Sequence, residues 1–169
     1  MKDFERIKTV IEYLDLHRSE HPTLDVIAEQ VGISQFHLHR LFVNWAGITP
    51  KDFLQCLTVG HARRLLETGA TVLDVSLVAG FSGPSRLHDL CVTLETASPG
   101  EIKLGGKGWI LKAGFADSPF GVCLIAESPR GICHLSFLDT IDRDLGTKLI
   151  LQDWPHAVVQ WDDHFAVEA

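Results

Sequence analysis

No stretch of the 169 residues stays apolar for anything near the roughly 20 positions that a membrane-spanning helix needs. The first residues, Met1-Lys2-Asp3-Phe4-Glu5-Arg6, lack the apolar core of a secretory signal. Membrane partners are therefore not expected, and the expected location is the cytoplasm. Cysteine is scarce. Cys56, Cys91, Cys123 and Cys133 are scattered with no Cys-x-x-Cys pair, which argues against a disulfide scaffold and a zinc ribbon. Reduced, mostly buried thiols are expected. Nine histidines are present, but no His-x-x-x-His pair sits on a helix with a third ligand near it. No metal and no cofactor are expected. Glycine-rich phosphate loops and Ser/His/Asp arrangements do not stand out either.

Positive charge is also short. Fifteen Lys and Arg face 22 Asp and Glu, for a net charge of −7. Residues 1–103 hold ten cations and thirteen acids; residues 104–169 hold five and nine. A uniformly basic surface is excluded, so any contact with nucleic acid has to be local. Between Ser34 and Leu66 the balance turns weakly positive, with Arg40, Lys51, Arg63 and Arg64 against Asp52. Nonspecific affinity for DNA should be low and its salt dependence shallow.

What the chain does have is a duplication. Thr23-Leu24-Asp25-Val26-Ile27-Ala28-Glu29-Gln30-Val31-Gly32-Ile33-Ser34 returns 48 residues later as Thr71-Val72-Leu73-Asp74-Val75-Ser76-Leu77-Val78-Ala79-Gly80-Phe81-Ser82. With one residue inserted, Leu38 then answers Leu87, and Ile48-Thr49-Pro50 answers Ala97-Ser98-Pro99. Two copies of one supersecondary unit follow. Thr23 and Thr71 are placed to cap short helices. Leu24, Ile27, Ala28 and Val31 fall at helical spacing, and Ala28 and Ser76 are small where two helices cross. Gly32 and Gly80 permit a sharp turn, and Ser34 and Ser82 are placed to cap the next helix. Helix, glycine turn and capped helix is a pattern that reads DNA.

The rest of the chain frames the duplication. Phe4, Ile7, Val10, Ile11 and Leu14 predict an opening helix over 3–18. A long helix is expected from Pro50 to Gly69, about 28 Å at 1.5 Å per residue. Ser98 to Glu101 opens one more turn. Gly105-Gly106-Lys107-Gly108 has linker composition. Strand-like runs follow at Trp109–Phe115, Gly121–Glu127 and Gly131–Phe137, separated by Pro- and Gly-bearing turns. Helical spacing returns over Thr140–Leu151, and Ala157–Trp161 suits one more strand. The expected organisation is a mainly α domain over 1–103, two helix-turn-helix units joined by a long helix. A linker at 104–108 and a small α+β lobe over 109–169 follow.

These residues resemble the AraC family of transcription activators. The resemblance rests on Ile27-Ala28, Val31-Gly32-Ile33-Ser34, Leu38-His39-Arg40-Leu41-Phe42, Gly47-Ile48-Thr49-Pro50, Ala62-Arg63-Arg64-Leu65-Leu66 and Gly80-Phe81-Ser82. Gly83 to Leu90 and Thr96 to Glu101 are similar to the Ada branch, the adaptive response regulators. There, a methylated-DNA-protein-cysteine methyltransferase follows the AraC-type domain. Phe115–Gly121 and Ala126–Cys133 resemble the opening strands of that methyltransferase, which implies a ribonuclease-H-like lobe. The Pro-Cys-His-Arg acceptor motif of the catalytic lobe is absent from this sequence, so no enzymatic activity is expected of it. Two readings stay open here. One is a sequence-specific DNA-binding transcription regulator linked to the alkylation-damage response. The other is the N-terminal fragment of the repair methyltransferase.

The resemblance implies double-stranded DNA as partner, with the second helix of each unit in the major groove. In the first unit the outward positions are Gln35, Phe36, His39 and Arg40; in the second they are Ser85 and Arg86. Arg suits guanine, Gln suits adenine, and Phe36 suits a thymine methyl. Asp89 would repel phosphate, so the second unit should read DNA weakly. Cys133-His134 resembles the acceptor motif only in part and is read as a buried strand pair. RNA polymerase is a further partner implied by the family. Self-association through the C-terminal lobe is expected if Trp154, Val158 and Trp161 are exposed.

Overall fold

A computed structural model describes residues 2–168 and divides them into two compact units. The first runs up to Leu65 and includes Thr71–Leu87; the second holds Leu66–Ala70 and continues from His88.

In the first unit, α1 (Asp3–Leu16) buries Ile7, Val10 and Leu14, three to four residues apart on one face. They pack with Ile27, Ala28 and Val31 of α2 (Leu24–Val31) and with Leu38, Leu41 and Phe42 of α3 (Gln35–Ala46). Fully burying side chains such as Leu14, Leu38 and Phe42 contributes roughly 1.5–3 kcal/mol each. Gly32 ends α2 in the left-handed region at φ 66°. Ser34 then caps α3, its Oγ accepting from the backbone N–H of His37. The long helix α4 (Pro50–Glu67) follows, 18 residues and so about 27 Å. Inside it, buried Thr58 donates to the Leu54 carbonyl at 2.8 Å and approaches the Arg18 carbonyl at 3.2 Å.

The second copy repeats the first with altered caps. Thr71 caps α5 (Val72–Val78), accepting from Asp74 N–H and donating to its carboxylate. Thr23 makes no such bond. Gly80 turns at φ 74°, and α6 (Pro84–Leu94) begins two residues after Ser82. Because α6 starts at Pro84, its cap position falls on Gly83, so Ser82 is not the cap that the sequence predicts. Ser76 is fully buried where Ala28 stands in the first copy, and its hydroxyl donates to the Leu73 carbonyl.

In the second unit, α7 (Pro99–Lys103) opens with a reciprocal Ser98–Glu101 capping box. Lys103 Nζ reaches back to the carbonyls of Gly69 and Ala70 at 2.8 and 3.1 Å. The glycine-rich segment is not open chain. Gly105 and Gly106 are buried at positive φ, and a Cβ on them would meet Pro155 and Ala157 at 2.9 and 3.2 Å.

Four strands make one sheet: β1 (Ile110–Ser118), β2 (Gly121–Ser128), β3 (Gly131–Leu138) and β4 (Val158–Trp161), in the order β3-β2-β1-β4. β1, β2 and β3 are antiparallel neighbours; β4 lies parallel to β1 after a crossover through α8 (Arg143–Asp153). α9 (Asp163–Glu168) closes the described chain and was not expected from the sequence. Trp154 is fully buried against Trp109, with Nε1 donating to the Cys133 carbonyl at 3.2 Å. This corrects the expectation that Trp154 is exposed: the chain folds it under the lobe just after α8. Val158 is 63% exposed, and Trp161 stacks on Phe115.

Candidate nucleic-acid interface

Helical spacing sorts α3 into two faces. Leu38, Leu41 and Phe42 face the core, which leaves Phe36, His39 and Arg40 exposed on the other side. Phe36 is 79% exposed, an unusual position for a phenylalanine that has no packing role. Gln35 is half-buried in the first turn. At α6, Ser85 and Arg86 are exposed next to fully buried Leu87. Each reader is thus anchored by a buried leucine and offers polar side chains from its early turns. All six expected site residues reach the surface, Gln35 least.

The charge is local, as the composition requires. Arg40, Lys51 and Arg86 are exposed cations of the first unit. His39 and Arg86 also line a single cavity with Lys51, which the sequence reading counted only in the local charge, and with Gln55, which it did not name. Their signal is weak in the sequence because they come from α4, not from a helix-turn-helix segment. On α4, His61 titrates below the ordinary histidine value: desolvation lowers it first, and the nearby Arg18 and Arg64 charges lower it further. In the second unit Asp89 is exposed beside His88, 3.8 Å away.

Cys133 and His134 are neighbours in β3. Cys133 is half-buried, and the His134 ring is held from both sides: Nδ1 lies 2.6 Å from Asp153 and Nε2 3.0 Å from Ser136. This ties β3 to the end of α8. The sequence alone did not show this linkage, because Asp153 stands 19 residues away. Among the described residues no group of three His, Cys, Asp or Glu side chains converges. Among the same residues no helix is long and apolar enough to cross a membrane.

A second helix set behind a glycine turn, present in two copies joined by a long helix, defines the AraC-type helix-turn-helix regulators. Residues 27–104 match the helix-turn-helix domain family and residues 111–162 the ribonuclease-like domain of 6-O-methylguanine DNA methyltransferase. The chain is an Ada-like protein: an AraC-type helix-turn-helix domain followed by a methyltransferase-related lobe. It is 35% identical over 131 residues to the bifunctional transcriptional activator/DNA repair enzyme Ada of Escherichia coli. That match takes in 77% of this chain and 37% of Ada. It is 33% identical over 113 residues to the regulatory protein ada of Salmonella typhimurium, 67% of this chain and 32% of that protein. The chain therefore spans about a third of the length of these curated relatives.

Solved structures agree on the fold. An AraC-type transcriptional regulator from Chromobacterium violaceum superposes with a TM-score of 0.56 at 25% identity, over 59% of this chain and 89% of that one. The DNA-binding domain of AdpA, solved in complex with a target DNA, gives 0.54 at 26% identity, over 57% and 88%.

Proposed function

We propose that this chain is a sequence-specific, double-stranded-DNA-binding transcription regulator of AraC/Ada type, linked to the response to alkylation damage. The observation that carries the reading is the first reader. Phe36, His39 and Arg40 stand exposed on a helix fixed by Leu38, Leu41 and Phe42. Arg40 and Arg86 supply bidentate donors for guanine or phosphate, and Gln35, His39 and Ser85 supply further polar contacts. Phe36 supplies an apolar face for a thymine methyl. The AdpA likeness supports the same use of the fold. Such a regulator works in the cytoplasm and meets RNA polymerase at the promoter.

The test is selection from a random duplex pool by the purified chain at two salt concentrations. Enrichment of a motif with two contact blocks about 34 Å apart, one helical turn, is the expected result. Binding that is unselective and equal for wild type and Arg40→Ala would sink the reading.

The second reading, an N-terminal fragment of a methylated-DNA-protein-cysteine methyltransferase, draws on the match of residues 111–162. Incubation with methylated duplex and mass measurement separates the two. A chain that takes up no methyl group by itself but restores methyl transfer to a separately added acceptor-cysteine lobe supports the repair reading.

A further inference from the structure

A cavity of about 600 Å³ opens in the first unit between the loop after α1, the middle of α3, the first turns of α4 and the start of α6. Its floor is apolar, formed by Leu24, Ile27 and Leu54 with the ring of Pro50. Lys51 and Arg86 stand at its walls, and no carboxylate is among its lining residues. In a chain with net charge −7 that is a local reversal of sign. The size falls within the roughly 300–1,000 Å³ typical of small-molecule sites, as does the mixture of apolar wall and few polar groups.

The two properties together select a ligand class. A bare phosphate would use the cations but gain nothing from Ile27 and Leu54. A neutral hydrocarbon would use the floor and leave Lys51 and Arg86 idle. A small monoanion with an apolar body uses both, and a flat ring can also lie on the imidazoles of His21 and His39, which line the same space. We propose that this cavity is a binding site for an aromatic carboxylate. The carboxylate pairs with Lys51 and Arg86, and the ring covers Ile27 and Leu54. Because His39 and Arg86 border the cavity, the bound ligand withholds both from a duplex. That consequence rests on the function proposed above; the binding itself does not.

The full chain is titrated with naphthoate in the absence of DNA, following the backbone amide resonances of Ile27, Lys51 and Leu54. Saturable shifts at these amides are expected, with affinity about tenfold weaker for Lys51→Ala and for neutral naphthylmethanol. Absence of saturation, equal affinity for the neutral compound, or unchanged affinity in a Lys51→Ala/Arg86→Ala variant overturns the proposal. Displacement of naphthoate by inorganic phosphate at equal concentration overturns it too, and marks the cavity as a phosphate seat. Naphthoate is read without DNA and duplex binding without naphthoate, so failure of one is told apart from failure of the other.

Discussion

The ring Nε2 of His21 lies 3.0 Å from the carbonyl oxygen of Ala79, 58 residues away. A carbonyl can only accept, so Nε2 carries a proton and donates. Ala79 closes α5, where a carbonyl has no partner within its own helix. The ring also lies 5.5 Å from that of Phe81. The loop ahead of the first helix-turn-helix therefore caps a helix of the second, and His21 holds φ 49° to do so. Replacing His21 by Ala removes the donor and keeps the unfavourable φ. A loss of about 1–3 kcal/mol in unfolding free energy is expected in urea titration. His21→Gly, which relieves the backbone, should lose less.

The two turn glycines should respond unequally. A Cβ on Gly32 meets nothing, whereas a Cβ on Gly80 would fall on the backbone carbonyl of Ser19. Gly32→Ala should cost about 1–2 kcal/mol, from the left-handed φ alone. Gly80→Ala should cost at least ~2 kcal/mol more, because the loop at Ser19 has to move. Equal melting temperatures for the two variants would refute the close approach.

Arg40→Ala and Arg86→Ala separate base reading from phosphate contact. Loss of a base-edge contact weakens the selected motif by about 1–3 kcal/mol and relaxes preference at one position. Loss of a phosphate contact lowers the salt slope by about one and leaves the preference intact. We expect the larger effect at Arg40, measured by fluorescence anisotropy at two salt concentrations.

Acid should loosen the second unit through Glu101. Partial burial pushes its carboxyl up, but the hydroxyl and backbone N–H of Ser98 and the guanidinium of Arg130 outweigh it, so it titrates below the usual range. A depressed folded value means that the group stabilises above its unfolded pKa, and that this is lost as pH falls through the folded one. Thermal stability should therefore decline below about pH 4. Glu101→Gln should flatten that part of the profile. An unchanged profile in the variant would remove Glu101 as the cause.

Trp154 holds the lobe together. Truncation to Ala empties a fully buried site and should cost about 3–5 kcal/mol, enough to melt a unit of this size. Trp154→Phe keeps a ring beside Trp109 but loses the bond to the Cys133 carbonyl and part of the indole volume, and should cost less than the Ala change, about 2 kcal/mol. Near-ultraviolet circular dichroism on heating would show both.

Most of the architecture was legible because it repeats or alternates. The Thr23 and Thr71 segments predict each other, and the runs after Trp109 became strands with ends shifted by at most three residues. What escaped was set by distant partners. Composition marked Gly105 and Gly106 as a linker, but Pro155 and Ala157 pack on them from beyond the third strand. Ser82 lost its expected capping role because α6 starts at Pro84. Trp154 read as surface because local spacing cannot show Trp109 or Cys133 closing over it. In the interface, helical phase was enough to place Phe36, His39 and Arg40 outward. The shared position of Lys51 and Gln55 escaped because their cavity draws on four separate elements.

The 18 residues of α4 are one unbroken helix between the two helix-turn-helix segments of the chain. Adding a single residue to it would advance the second reader by about 1.5 Å and turn it by roughly 100°. On the function proposed above, a duplex whose two contact blocks are moved apart by one base pair should bind more weakly than one with a point change inside a block.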